Sequence, residues 1–109
     1  MPARIVAPDI ESLADLVDAE FGPGGWLTVD QARIDAFAEA TGDDQWIHTD
    51  PERARRESPF GQTVAHGYLT LALAPGLLSK LFKVEKCRQV INYGIDGLRL
   101  REPVVTGSK

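Results

Sequence analysis

The chain has 109 residues, 43% of them apolar, and this length and composition suit one globular domain rather than two domains or a disordered tail. A net charge of −4 argues against a general nucleic-acid-binding protein, whose affinity would depend on neutralising phosphates. The charge is uneven: residues 1–50 carry 11 acidic and 2 basic side chains, and residues 79–109 carry 3 and 7. The basic end suits a small anionic ligand, although an ordinary solvated surface explains the same pattern.

Export and membrane insertion are not indicated by the sequence. The first nine residues have neither a basic start with an apolar run nor a cleavage site, and no apolar stretch reaches membrane-spanning length. Cys87 is the only cysteine, which excludes an intrachain disulfide and a cysteine cage for a metal. We therefore expect a cytoplasmic protein that does not bind membranes.

The first half of the chain predicts helices separated by turns. Apolar residues at three-and-four spacing, capping residues and proline positions mark their limits. The predicted elements are a helix over 11–21, a short strand over 26–29, a helix from Asp30 as N-cap to Gly42, and a helix with Pro51 in its first turn.

The second half predicts a buried helix followed by strands. Residues 64–82 are apolar nearly all round, which is typical of a helix wrapped by other structure, and Pro75 must kink or divide it. Between Arg88 and Arg101 apolar residues alternate, first Ile91, Tyr93 and Ile95 and then, with the opposite parity, Leu98 and Leu100. This pattern predicts either one strand with a bulge or two strands joined by a tight turn, with Ile91, Tyr93 and Ile95 laid across that helix. Residues 103–109 open another strand.

Asp43 and His48 are the first candidates for chemistry, because they lie five residues apart in a segment between two predicted helices. A carboxylate and an imidazole brought to one point can position a water molecule and accept or supply its proton. Each residue also has a purely structural explanation, Asp43 as a turn residue and His48 as a half-buried ring.

A second candidate region is Ala65-His66-Gly67-Tyr68, at the start of the apolar helix. Unpaired backbone N–H groups there favour a developing negative charge, and Gly67 would let a ligand approach the backbone closely. Gly67 is equally well explained by close packing, and His66 by a structural role. A metal site from Asp43, Asp44, His48, Asp50 and His66 also remains open at this point, although no helical His-x-x-x-His spacing supports it.

Taken together, these segments resemble the MaoC-like (R)-specific enoyl-CoA hydratases, and most of all the compact mycobacterial and nodulation-protein-N-like members. The resemblance rests on three blocks in order: Phe37 to His48, Pro59 to Tyr68, and Asn92-Tyr93-Gly94 through Pro103-Val104. The family pattern is an aromatic residue, then a small residue, Gly and Asp, and a His five positions after the Asp. The similarity extends from about Trp26 to Lys109.

The resemblance implies a single α+β domain over residues 1–109 with the hot-dog fold, in which a curved antiparallel sheet wraps a long central helix. The family pattern continues through further strands, so the sheet is expected to lack its C-terminal strands here. It also implies a homodimer that acts in fatty acid metabolism and hydrates trans-2-enoyl-CoA reversibly to (R)-3-hydroxyacyl-CoA. The protein would be a lyase that needs no metal and no other cofactor, since coenzyme A is part of the substrate.

The resemblance also implies roles for individual residues. Asp43 and His48 would hold and activate the water, and the Gly67 amide would bind the thioester oxygen. The candidates for contact with the substrate are Gln45, Trp46, His66, Tyr68 and Asn92. Gln45 and Trp46 stand where the family often has Asn and Pro, which leaves the substrate length open.

Two other functions remain possible from the sequence. A hot-dog thioesterase would direct water to C1 of the acyl group instead of C3, although the spacing of Asp43 and His48 favours hydration. A non-catalytic acyl-CoA-binding or scaffold subunit would keep the fold without turnover.

Overall fold

A computed structural model describes residues 4–109; residues 1–3, which began the segment judged for an export signal, lie outside it. The described elements are short. In chain order they are β1 (Ile5–Ala7), a 3-10 helix (Glu11–Leu16), α1 (Gln31–Thr41), α2 (Trp46–Thr49), α3 (Pro51–Glu57), α4 (Gly67–Ala72), α5 (Ala74–Leu78) and β2 (Phe82–Val84).

The chain forms two compact units. One comprises Met1–Gly25 and Ala74–Leu98, and the other comprises Trp26–Leu73 and Arg99–Lys109. In the first unit, β1 pairs with β2 in parallel, with Ile5 opposite Phe82, and the rings of Phe21 and Phe82 stack with centroids 5.6 Å apart. The prediction of one domain over residues 1–109 stays a prediction.

Helix α1 of the second unit forms as its capping residues predict. The Asp30 carboxylate accepts a hydrogen bond from the Arg33 amide at 2.9 Å, which satisfies an N–H that the first helical turn leaves unpaired. Gly42 ends the helix with φ of 79°, the left-handed conformation that glycine adopts without strain. Ile34 and Ala38 are buried one turn apart, so this face of α1 lies in the core.

Helix α3 also begins as predicted. Pro51 occupies its first turn, and the Asp50 carboxylate caps it by accepting from the Arg53 amide at 3.0 Å. The four-residue helix α2 precedes it directly, so the chain from Gly42 to α3 is compact. His48 is the buried residue of α2.

The core of the second unit consists of Val29, Ile34, Ala65 and Leu69. Backbone pairing supports it: Val64 pairs with Val105 and Val29 with Ser108, both antiparallel. The strands predicted over 26–29 and from residue 103 are thus reduced to isolated bridges. They nevertheless fix where residues 63–65 lie, because Ala65 N–H donates to Val104 O at 2.8 Å and Thr106 N–H donates to Thr63 O at 3.0 Å.

The helix predicted over 64–82 is divided at Leu73, between α4 and α5, which confirms the effect expected of Pro75. The prediction that it is the wrapped, most buried helix is wrong for the structure described here, since Leu69 is the only buried residue in α4 and α5. A curved antiparallel sheet is likewise not observed among residues 4–109, whose only sheet is the parallel pair β1–β2. Without a sheet laid across it, Tyr68 and Leu78 are exposed, while Leu71, Leu73 and Leu77 are partly buried.

The strand predicted around residues 88–101 is also wrong. Ile91, Tyr93 and Ile95 lie outside regular secondary structure, and they are 73%, 103% and 59% exposed. The alternating pattern is real, but no partner strand among residues 4–109 supplies the hydrogen bonds that a strand requires. In the part of the chain that the structure describes, no helix has the length and apolarity needed to cross a membrane.

The left-handed Gly42 gives a prediction on stability. A Cβ at this position would meet nothing within 4 Å, so the cost of a side chain comes from the backbone conformation alone. Gly42→Ala should lower the free energy of unfolding by about 1–2 kcal/mol, as judged from urea denaturation. Gly42→Asn is the control, because asparagine tolerates this conformation, and it should lose clearly less. Equal losses for both variants would contradict a conformational origin.

Candidate active site

The loop that carries Asp43 is held by short-range hydrogen bonds. Gly42 reverses the chain after α1, and Thr41 Oγ1 then accepts a hydrogen bond from the Asp43 amide at 3.3 Å. The side-chain amide of Gln45 donates to Asp43 Oδ1 at 3.1 Å. A carboxylate has about four acceptor positions, so this contact leaves Asp43 able to accept further hydrogen bonds.

His48 is buried, and one hydrogen bond fixes its ring. Its Nδ1 lies 2.7 Å from the backbone oxygen of Val64. Because a carbonyl only accepts, Nδ1 carries the hydrogen, and in the neutral ring Nε2 carries the lone pair. In the other direction, the Val64 amide donates to Ile47 O at 3.0 Å. Val64 therefore holds α2 through both of its backbone groups: its oxygen accepts from the ring of His48, and its amide donates to Ile47.

A side-chain clamp from α1 holds the backbone of His48. Gln31 Nε2 donates to His48 O at 2.7 Å, although the two residues are 17 positions apart. The oxygen of the same amide accepts a hydrogen bond from the hydroxyl of Thr63, which is 1% exposed. Gln31 and Thr63 were not among the sequence candidates. No motif marks them, because their link depends on a contact across 32 positions.

His66 is 2% exposed and contacts both predicted catalytic residues. Its Nε2 lies 2.7 Å from the backbone oxygen of Asp43, so Nε2 carries the hydrogen and donates it. Its ring stacks on that of His48, with centroids 3.8 Å and planes 24° apart, and Phe37 lies 4.9 Å away on centroids. Nδ1 of His66 is buried without a hydrogen-bond partner among the described residues.

These contacts gather Asp43, His48 and His66 into one cluster, in which one potential ligand atom from each lies within 4.8 Å of the others. Asp44 and Asp50, which the sequence had also offered as metal ligands, are not in the cluster. The lone pair of an imidazole lies in the plane of its ring, and the two stacked planes are only 24° apart. The two lone pairs therefore do not converge on a common ion, and the arrangement suits proton transfer better than metal binding.

The electrostatics of the cluster favour an ionised Asp43. The hydrogen bond from Gln45 is the largest influence that lowers the pKa of Asp43 below its ordinary value, and His48 and His66 lower it further. Partial burial acts in the opposite direction but is outweighed. Asp43 is therefore a carboxylate, able to accept a proton, at neutral pH.

Gly67 follows His66 directly and is the first residue of α4. A first helical residue has a backbone N–H that the helix itself does not use. A Cβ added to Gly67 would collide with Cδ1 of Leu100, so this position is closely packed as well. Tyr68, predicted to contact the substrate, is 70% exposed.

The other predicted contact residues are placed differently. Gln45 is exposed and contacts Asp43, as described above. Trp46 is partly buried, and the guanidinium carbon of Arg53 lies 4.3 Å from its ring centroid. Asn92 is exposed in the first unit and belongs to no described element. The structure thus brings together Asp43, Gln45, His48 and His66.

A cavity of about 430 Å³ lies beside the same loop but outside this cluster. Its lining is Asp35, Ala38, Glu39, Gly42, Asp44 and Thr49. Three of these side chains are carboxylates, which disfavour an anionic ligand such as coenzyme A. The cavity therefore does not identify the site of an acyl-CoA.

Comparison with known proteins gives one consistent family. Residues 13–109 match the model of the MaoC like domain. The chain is 47% identical over 102 residues to 3-hydroxyacyl-thioester dehydratase Z of Mycobacterium tuberculosis (strain ATCC 25618 / H37Rv), covering 91% of this chain and 67% of that protein. It is 49% identical over 102 residues to Nodulation protein N of Rhizobium leguminosarum bv. viciae, covering 90% and 63%.

A more distant relative is Protein MaoC of Klebsiella aerogenes, 42% identical over 94 residues, which cover 81% of this chain and 27% of that protein. The alignments thus span about two thirds of the length of the dehydratase and the nodulation protein, and a smaller part of Protein MaoC. The family resemblance seen in the sequence is confirmed: the chain belongs to the MaoC-like family.

Proposed function

We propose that this protein catalyses the reversible hydration of trans-2-enoyl-CoA to (R)-3-hydroxyacyl-CoA. The observation that carries the proposal is the meeting of Asp43 and His48 in one cluster, since the sequence had selected this pair as the acid and base. The name of the mycobacterial relative, 3-hydroxyacyl-thioester dehydratase, describes the reverse reaction and supports the same chemistry.

The two side chains are suited to orient a water molecule. The Asp43 carboxylate and the lone pair on Nε2 of neutral His48 are both acceptors. A water that donates its two hydrogens to these acceptors directs its oxygen lone pairs away from them, towards a third point. An enoyl group held at that point presents C3 to the nucleophile, and such positioning contributes much of the rate in reactions of this kind.

The reaction then balances without a cofactor. The water oxygen bonds to C3 while one O–H bond breaks and its proton passes to the acid/base pair. The electrons of the C2–C3 double bond move towards the thioester, whose oxygen becomes enolate-like. The protonated base returns a proton to C2, which completes the addition of water and restores the pair.

Gly67 is proposed to stabilise the enolate-like oxygen through its backbone N–H. The position at the start of α4 supports this role, because that N–H is not needed by the helix. A preorganised donor aimed at developing charge contributes on the order of 3 kcal/mol to transition-state binding. Of the other predicted contacts, Gln45 and Trp46 are the nearest in sequence to the reacting pair.

The fold is proposed to be the hot-dog fold of the family, in a cytoplasmic homodimer with an acyl-CoA substrate and no cofactor. Large exposed apolar side chains support an association: Trp26 is 84% exposed, Val90 84% and Ile91 73%. Exposed apolar groups of this kind commonly mark protein–protein contacts. A second copy of the chain would cover them.

The first prediction from this function concerns the acid/base pair. Asp43→Asn keeps the shape of the side chain and removes its basicity, and His48→Gln removes the imidazole. Each should lower kcat by roughly 10²- to 10⁴-fold with smaller changes in KM. Loss of the enoyl absorbance of crotonyl-CoA is the measurement, with Asp44→Asn as the adjacent control that stays within a few-fold of the parent.

The same assay separates the alternatives. A hydratase consumes the double bond, a thioesterase releases free thiol, and a scaffold does neither. Thiol release without loss of the double bond would therefore replace the proposed function. If Asp44→Asn were inactive while Asp43→Asn kept its rate, the catalytic carboxylate would be Asp44.

A second prediction concerns the ionisation of Asp43. Because the Gln45 amide is the main cause of the lowered pKa, Gln45→Ala should raise the pKa of Asp43 towards its ordinary value. The carboxylate would then take up its proton at a higher pH as the solution is acidified. Titration of the Asp43 side-chain carbon by ¹³C NMR measures this directly. Gln62→Ala, which changes another exposed glutamine, should leave the titration where it is.

A third prediction concerns assembly. Light scattering at micromolar concentration should report a dimer or a higher oligomer, because the exposed apolar residues need cover. A monomer with full hydratase activity would rule out the proposed homodimer.

A further inference from the structure

His66 is the one buried member of the cluster that the proposed reaction does not use. It is the only side chain of the cluster that contacts both Asp43 and His48: it donates to Asp43 O at 2.7 Å and stacks on His48 with centroids 3.8 Å apart. We infer that His66 is a positioning residue that holds the two members of the acid/base pair in register. This inference rests on the proposed hydratase function.

The hydrogen bond from His66 fixes the backbone of the loop at Asp43, where no helix does so. Asp43 lies between the end of α1 and the start of α2, so no helix holds its carbonyl group. The bond from His66 spans 23 positions of the chain and ties that carbonyl to the start of α4. Moving the carbonyl would also move the carboxylate of the same residue, whose carbon is three bonds from the carbonyl carbon. A displacement of about 1 Å at a reacting group can cost roughly 10²-fold in rate.

The ring of His66 fixes His48 in a second way. The hydrogen bond to Val64 O fixes the position of His48 Nδ1. A single hydrogen bond still allows the ring to rotate about the Nδ1–O axis. The stacked ring of His66 closes one face of His48, and the ring of Phe37 contacts His66 with centroids 4.9 Å apart. Because the stack fixes the plane of His48, it also fixes the direction in which Nε2 presents its lone pair.

The unpartnered Nδ1 of His66 fits a positioning role. This atom is buried and has no hydrogen-bond partner among residues 4–109, so no contact that the structure describes gives it a role in proton transfer. The edge of the ring that bonds, Nε2, is directed at a backbone oxygen instead of a reacting group. His66 therefore acts through Asp43 and His48. This role differs from the contact with the substrate that the sequence predicts for it.

Two substitutions separate the two contacts. His66→Phe keeps a flat ring for stacking and removes the donor, whereas His66→Gln keeps an N–H near the position of Nε2 and removes the ring. In crotonyl-CoA hydration, His66→Phe should lower kcat by roughly 10²-fold with KM within a few-fold of the parent. His66→Gln should recover the rate to within roughly tenfold of the parent, since its amide restores the bond to Asp43 O.

The decisive experiment measures the effect of His66→Phe on the rate of a protein that already carries Asp43→Asn. If His66 acts by placing the Asp43 carboxylate, the substitution should cost no more than a few-fold once that carboxylate is absent. A full 10²-fold loss in the Asp43→Asn background would overturn the inference, as would a change confined to KM, which would indicate contact with substrate. Urea denaturation of each variant checks that the compared proteins are folded.

A measurement independent of activity distinguishes failure of the inference from failure of the proposed function. The ring ¹⁵N resonances of His66 should show the hydrogen on Nε2, and His66→Phe should shift the ¹⁵N resonance of Asp44, whose amide shares a peptide group with the Asp43 carbonyl. A hydrogen on Nδ1 would overturn the inference whatever the activity. A parent protein without hydratase activity but with the expected resonances would overturn the catalytic purpose of His66 together with the proposed function.

Discussion

The hydrogen bond from His48 Nδ1 to Val64 O is the contact on which the site depends, because it sets both a position and a tautomer. It joins α2 to the segment 63–65. Within that segment the Thr63 hydroxyl donates to Gln31 Oε1, the Ala65 amide donates to Val104 O, and Thr63 O accepts from the Thr106 amide. With the hydrogen on Nδ1, the reacting nitrogen of neutral His48 is Nε2. A shift of the 63–65 segment would therefore alter the chemistry of His48 as well as its place.

The parts of the structure that the sequence predicted are governed by local rules. Asp30, Gly42 and Pro51 act on the backbone within one or two turns of themselves, so their effects on helix limits follow from residue type and spacing. Selection of Asp43 and His48 also came from a short segment. Their meeting in one cluster agrees with that selection, although their catalytic roles await the kinetic variants.

The wrong predictions share one physical cause, because each depended on residues that lie far away in the sequence. The apolar run over 64–82 predicts a helix that needs cover, but not whether residues elsewhere provide it, and here Leu69 alone is buried in α4 and α5. The alternation at Ile91, Tyr93 and Ile95 predicts a strand only where a second strand accepts its hydrogen bonds. The contacts of Gln31 and His66 across 17 and 23 positions were missed for the same reason.

The acid/base pair is held mainly through hydrogen bonds to its backbone. Gln31 and His66 each donate a hydrogen bond to a backbone carbonyl, of His48 and of Asp43, and not to the side-chain acceptors that carry the reaction. A clamp on the Asp43 carboxylate or on His48 Nε2 would compete with water for the same acceptor. Hydrogen bonds to the backbone restrict the movement of Asp43 and His48. The acceptor atoms of the two side chains remain available to the substrate water. Among residues 4–109, the hydrogen bond from the Gln45 side chain to Asp43 is the one side-chain hydrogen bond to the pair's reacting atoms. It lowers the pKa of the carboxylate and occupies only part of its acceptor capacity.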